Sequence, residues 1–417
     1  MTATVSPAVR RVIRAHNGFK LFTGLLWWLP VFYVYQRDSG LSDSQIFSIQ
    51  SIYYLAFCVL EIPTGALADR FDYRRFLQSG AALLTVANLV PVLWPSYSGF
   101  LAHFLLVALA NSLVSGAGSA YLYEYLQRGG ASTAYQQAEG SGRAYALTGR
   151  IVCLPAAGVL MKWHTPSPYL LSAACCVVAV LLAIRLPALP PGGEEPGGAG
   201  GPRKKWSPRD QLAAGRVLLR SPQLAMYMAQ GVAVFTLVRI GQANLFQPIL
   251  TVKQLPLAAF GVVMAVTTLF ELAGTARSSW LRRLGDVRAV LLLTVVMALS
   301  LALLVPAGLI GTIVCLCVFS LACGLIFPIQ RQLINRAIPG SEHRATLLSL
   351  ESLIDRAVCA LVVLALGSYL SQGEMNLFLV HVAIGTTLLM GGVALLVRRH
   401  QSSAPQEQRT VTKENVA

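Results

Sequence analysis

The residues best suited to chemistry in this chain are the charged ones that interrupt long apolar runs: Lys20, Glu61, Arg150, Arg239, Glu271, Glu351, Asp355 and Arg356. A charge at the centre of a hydrocarbon layer costs about 2.5–3.5 kcal/mol on insertion scales, so such side chains are paired, wet or close to a helix end. Lys20 lies near a helix end, and its long stem can carry the amine toward the membrane surface. Arg239 sits deep in its run, where a guanidinium either holds a structural partner or offers donors to an anionic or carbonyl group of a solute. Glu351 and Asp355 are four residues apart and share one face of a helix. Carboxylates so placed either share a proton, which makes them proton carriers, or each satisfy a separate arginine.

The elements that must position these residues are set by composition. Apolar residues make up 55% of the 417 and charged residues 12%, and the mean hydropathy is +0.60. These values exclude a protein whose only solvent is water. Apolar stretches of about twenty residues recur, each able to cross about 30 Å of hydrocarbon at 1.5 Å per residue. Spans are expected at 17–36, 45–68, 76–95, 99–126, 145–161 and 169–186, and then at 223–247, 257–280, 289–306, 311–330, 347–370 and 375–397. The fold class expected is an all-α membrane protein of twelve transmembrane helices in two six-helix bundles. Residues 1–186 form the first bundle, 187–221 a flexible linker, 222–400 the second bundle and 401–417 a disordered tail. The linker contains PPGGEEPGGAGGPRKKWSP, whose proline and glycine content buries no core.

The net charge of +15 does not indicate nucleic acid, because the basic residues fall between apolar runs rather than on one face. They read as topology signals. With the amino terminus inside, the inner loops hold Arg10, Arg11, Arg14, Arg70, Arg74, Arg75, Arg128, Arg143, Arg282, Arg283, Arg336, Arg344, Arg398 and others, whereas the outer loops hold only Arg37, Lys162 and Lys253. Both termini are therefore expected in the cytoplasm, with the protein in the cytoplasmic membrane. The first sixteen residues are polar and basic and lead into a full-length span, so the first helix is expected to remain in the bilayer. The eight cysteines lie in apolar segments without a CxxC pair or histidine neighbours, and no metal or cofactor is expected.

The two halves resemble each other. RAYALTGR opens the fifth expected span and RATLLSLE the eleventh; GALADRFDYRR follows the second and GTARSSWLRR the eighth, so that Gly65 matches Gly274 and Arg74 matches Arg283. The pattern Gly65, Asp69, Arg70, Arg74, Arg75 resembles the signature of the major facilitator superfamily. The surrounding LEIPTGALADR, SGAGSAYLYEYL and INRAIPGSEHRATLLSL are similar to one bacterial subgroup of it. A glycine lets a neighbouring helix come close, and an aspartate at a helix end can meet arginines and the positive end of a facing helix. The resemblance implies a conformational latch of Gly65, Asp69, Arg70, Arg74 and Arg75 with Glu124 as acidic partner. Here Asp72 stands where the pattern has a glycine, and Ser278 replaces the aspartate in the second repeat, so the latch is expected to be lopsided. Pro155 and Gly158 match only in part the motif of the family's antiporters.

The resemblance also implies a central cavity lined from the first, second, fourth and seventh helices, with Trp28, Tyr54, Tyr121, Phe235 and Arg239 as candidates; aromatic faces would suit a flat organic solute. In the family fold helix two packs against eleven and helix five against eight. On that basis Arg150 is expected to pair with Glu271, and Glu61 with Arg356. No HExxH, GxSxG or GxxxxGK[ST] pattern is present, which argues against an enzyme and against an ATP-driven pump. The expected function is a secondary transporter, a monomer that exports a small organic molecule and takes protons as coupling ion. The alternative is a proton-coupled uptake permease for a small metabolite on the same fold.

Overall fold

The structure, a computed structural model, describes residues 6–68, 72–189, 218, 221–338 and 344–403. The expected linker 187–221 lies almost wholly outside these residues, and so do Asp69, Arg70 and most of the expected tail. The described residues are helical, with no strand among them. They group into two compact units. The first comprises residues 1–206, 244–266 and 359–373, and the second 207–243, 267–358 and 374–417.

The first unit begins with α1 (Pro7–Gly24) and α2 (Phe32–Asp38), then α3 (Asp43–Ala68), α4 (Tyr73–Leu93), α5 (Tyr97–Arg128), α6 (Tyr135–Trp163) and α7 (Ser167–Ile184). The helix expected over 17–36 is broken between α1 and α2. Pro30 has no amide hydrogen to continue a helix, and the break frees backbone groups that cannot be left unpaired at membrane depth. Gln247 satisfies two of them: its Nε2 donates to the Leu29 carbonyl at 2.7 Å and its Oε1 accepts from the Tyr33 amide at 3.0 Å. Ser172 Oγ accepts from the Trp27 amide at 3.0 Å. The bundle's core runs through Val12, Phe19, Leu77, Ala81, Ala117, Tyr121 and Ala183.

The second half of the chain contributes α8 (Pro222–Arg239), a π-helical stretch Ile240–Leu245, α9 (Phe246–Val252), α10 (Leu257–Ala276), α11 (Asp286–Leu303), α12 (Leu309–Ala337), α13 (Arg344–Ser371) and α14 (Met375–Ser403). In the second unit α10 and α12 meet backbone to backbone at Gly274 and Gly324. A Cβ on Gly274 would overlap the Leu321 carbonyl oxygen, and one on Gly324 would lie 2.8 Å from the Glu271 carbonyl carbon.

Ten helices among the described residues are long and apolar enough to cross a membrane, against twelve expected. The first two expected spans are not among them. The first is split and its α1 segment carries Arg10, Arg11, Arg14 and Lys20, while the second falls in α3, 26 residues and so about 39 Å long. The protein is a multi-pass membrane protein. Membrane helices also prove longer than their apolar runs: α12 continues through Arg331 to Ala337, beyond the expected end at residue 330.

Candidate functional site

The densest polar cluster within the apolar helices lies in the second unit, where α8, α12 and α13 meet. Both carboxylates of α13 are buried, Glu351 fully and Asp355 with 2% of its surface exposed. Each has its own arginine. Arg239 Nη2 donates to Asp355 Oδ2 at 2.7 Å, and Arg331 Nη1 donates to Glu351 Oε2 at 2.7 Å. Thr236 Oγ1, one turn before Arg239 on α8, donates to Asp355 Oδ1 at 3.0 Å. Of the two readings of Glu351 and Asp355 left open by the sequence, this geometry is the one in which each satisfies a separate arginine.

The helical repeat explains the ladder. Residues 351 and 355 are one turn apart and present their carboxylates on one face, while Arg239 comes from α8 and Arg331 from α12. The guanidinium of Arg331 also lies 4.7 Å from the centre of the Phe235 ring and 5.7 Å from that of Phe327, and the two rings are 5.1 Å apart. The faces of aromatic rings are electron-rich, so Phe235 and Phe327 support the cation where no water shell replaces them. Glu351 Oε1 accepts no hydrogen bond among the described residues. A Cβ on Gly231 would overlap it, so the glycine makes room for the carboxylate. The side chains of Arg239 and Arg331 are each 35% exposed while their partner carboxylates are 3% and 1% exposed. The carboxylates are thus held behind a partly accessible row of guanidinium groups.

Arg331 was outside the expected spans, because a hydropathy window ends where the charge begins. The signal that would have found it is Glu351 itself, whose burial demands a cation from a neighbouring helix. The π-helical turn after Arg239 was equally invisible in the sequence. It places Gln242, whose Nε2 donates to Glu271 Oε2 at 3.0 Å, and Asn244, whose Nδ2 donates to Tyr54 Oη at 3.0 Å.

The other sequence candidates are distributed as follows. Trp28 is buried in an aromatic cluster, stacked on Tyr169 at 5.8 Å and edge-on to His103 at 5.2 Å. Tyr121 is fully buried and donates its hydroxyl to the Pro187 carbonyl at 2.8 Å. Of the latch residues, Asp69 and Arg70 lie outside the described residues, as do the surroundings of Gly65. Arg75 is exposed and Arg74 half-buried. Asp72, the departure from the family pattern, caps α4 by accepting from the Arg74 amide at 3.0 Å, and its carboxylate lies 3.9 Å from the Arg74 side chain. Glu124 accepts from Arg128 at 3.3 Å on the same helix. Arg150 makes no ion pair among the described residues, and its Nε is buried without a partner. Glu61 and Arg356 lie within α3 and α13 and are half-buried.

In the first unit, α10 and α13 pack against α6 and α3 through glycines. A Cβ on Gly158 of α6 would overlap the Leu257 carbonyl oxygen, one on Gly261 of α10 would overlap the Leu154 carbonyl oxygen, and one on Gly367 of α13 would lie 2.8 Å from Phe47 Cβ. The hydrogen bonds Asn244–Tyr54 and Gln247–Leu29 belong to the same unit.

Apolar helices of this number, with charges buried in pairs between them, are those of a multi-pass membrane protein. The chain belongs to the Major Facilitator Superfamily, whose sequence pattern it matches over residues 20–363. Among solved structures it is similar to the nucleoside transporter NupG, with a TM-score of 0.77 and 13% identity over 94% of this chain and 99% of that one. The POT family transporter PepTSo is similar with a TM-score of 0.71 and 12% identity over 96% of this chain and 100% of that one. A POT family transporter in complex with 5-aminolevulinic acid gives a TM-score of 0.68 at 12% identity over 95% and 96%. No curated protein sequence matches the chain.

Proposed function

We propose that this transporter is a proton-coupled exporter of a small organic molecule, working by alternating access in the cytoplasmic membrane with both termini in the cytoplasm. Twelve spans in two six-helix bundles, joined by the linker at 187–221, and the latch at Gly65, Asp69, Arg70, Arg74, Arg75 and Glu124 belong to the same reading. The two carboxylates of α13 do not share a proton, and what supports proton coupling is the buried Arg239–Asp355 ion pair, whose charge balance a single proton would change. In export the solute binds while Asp355 is charged and paired with Arg239, and a proton reaching Asp355 from outside loosens that pair and releases the solute. Loss of the proton to the cytoplasm restores the pair for the next solute.

The direction of transport is supported by the resemblance of the LEIPTGALADR and SGAGSAYLYEYL segments to a bacterial subgroup of the family. The nucleoside and peptide transporters among the similar structures keep the uptake permease as the second reading. Transport in vesicles of known polarity, with an imposed proton gradient and a panel of dyes, antibiotics and metabolites, tests both. Export predicts solute moving against the proton flux; co-movement would establish the permease. In either case Asp355→Asn should leave solute exchange measurable and abolish its response to the gradient, since an amide cannot titrate. Unchanged coupling in that variant moves the proton site elsewhere.

A further inference from the structure

A second polar cluster lies wholly inside the amino-terminal bundle, where α1, α5 and α6 meet, and the transport reading has not used it. His16 is fully buried, and neither of its ring nitrogens has a hydrogen-bond partner among the described residues. One turn further along α1, Lys20 makes no ion pair among those residues. Two glycines let α5 and α6 come close to them. A Cβ on Gly118 of α5 would lie 3.3 Å from Lys20 Nζ and 3.8 Å from His16 Cε1; one on Gly142 of α6 would lie 3.3 Å from Asn17 Oδ1 and 3.5 Å from His16 Cδ2. Asn17 is anchored by donating from Nδ2 to Ser141 Oγ at 2.8 Å.

Lys20 lies thirteen residues after Pro7 and four before Gly24 in α1, and it is half-buried. An ammonium that shares a three-helix junction with a buried, unpartnered imidazole and makes no ion pair among the described residues is suited to taking an anion. The carboxylate facing the same three-helix junction is Glu139, which accepts from Ser119 Oγ at 2.9 Å and whose Oε2 is buried without a partner. It is hydrogen-bonded to α5 rather than ion-paired with Lys20.

Resting on the transporter reading, we infer that His16 and Lys20 form a subsite for an oxyanion group of the transported solute, a carboxylate or a phosphate. Lys20 supplies the charge and His16 an N–H donor, and the glycines at 118 and 142 let α5 and α6 come close around them. The solute is therefore an organic anion, or a zwitterion whose cationic end meets the free oxygen of Glu139.

The test uses the full chain, both in detergent and in proteoliposomes. A metabolite extract, split on ion-exchange resin into anionic, neutral and cationic fractions, is offered to the native protein and to Lys20→Met and Lys20→Arg. The anionic fraction, with the zwitterions retained in it, should raise the thermal midpoint of the native protein and of Lys20→Arg. Lys20→Met should need at least tenfold more of it for the same effect, and mass spectrometry should find the translocated solutes in that fraction. If Lys20→Met fails to fold, Gly118→Ala, which crowds the amine, should weaken the response in the same direction. Stabilisation without translocation would sink the transporter reading and leave the subsite standing. A response only to the neutral or cationic fraction, or an equal response of Lys20→Met, overturns the subsite while leaving transport intact. No response to any fraction overturns both.

Discussion

At the scale of single residues, what distinguishes this membrane interior is that its charges are placed in order. Glu351 is sealed behind Arg331, and Arg331 in turn rests on Phe235 and Phe327, so none of these side chains can be altered alone without cost. Removing one partner of a buried ion pair typically costs about 3–5 kcal/mol, most of it from the charge left behind, whereas removing both can be nearly neutral. Arg331→Met should accordingly lower the thermal midpoint strongly, and Arg331→Met with Glu351→Gln should recover most of the loss. Thermal unfolding of the purified protein by intrinsic fluorescence measures this. A double variant no more stable than Arg331→Met would mean that the two residues are not energetically coupled. The carboxylate pair was legible in the sequence from its four-residue spacing within an apolar run. Its partners were legible only in part: Arg239 stood out because it lies inside a run, and Arg331 did not because it lies at the edge of one.

At the scale of elements, helix existence was legible and helix continuity was not. Apolar runs located nearly every membrane helix, because length and hydropathy are properties of a local window. The break between α1 and α2 depends on Gln247, more than two hundred residues away, and the π-helical turn depends on what Gln242 and Asn244 find on other helices; no window contains those partners. The surroundings of Gly65 lie outside the described residues, and its repeat counterpart Gly274 is where the α10 and α12 backbones meet, together with Gly324. Gly324→Val should force those backbones apart at a cost of about 1–3 kcal/mol, read as a lower thermal midpoint, whereas Gly385→Ala, which meets nothing within 4 Å, should be neutral. Equal stability of the two variants would show that α10 and α12 separate freely. The order of the spans carries its own prediction. Reporter fusions after Arg128 and within residues 192–201 should report the cytoplasm and fusions near Lys253 the outside, following the distribution of arginine between loops; a reversed pattern would overturn the orientation.

At the scale of the whole molecule, alternating access requires that contacts sealing one end form and break in every cycle, so those contacts must be close without being strong. The packing of residues 244–266 and 359–373 on the amino-terminal helices within the first unit has that character. Its tightest approaches, Gly158 to Leu257, Gly261 to Leu154 and Gly367 to Phe47, are made by glycines and backbone rather than by interlocked large side chains. Its polar contacts, Asn244 with Tyr54 and Gln247 with Leu29 and Tyr33, are uncharged hydrogen bonds, each worth about 0.5–1.5 kcal/mol net. A side chain at one of the glycines is therefore a wedge that acts on the closed state alone. Gly261→Leu would press on the Leu154 carbonyl, and a penalty of about 2 kcal/mol on the closed state shifts the closed-to-open ratio about thirtyfold. The expected phenotype is normal insertion, greatly reduced transport, and faster labelling of a cysteine introduced at Leu29 by an impermeant maleimide added from outside. Gly385→Ala, on open surface, should change neither transport nor labelling. If Gly261→Leu transports at the native rate with unchanged labelling, then α6 and α10 do not need to touch during the cycle, and the closure at this end must be assigned to the α3–α13 contact at Phe47 and Gly367.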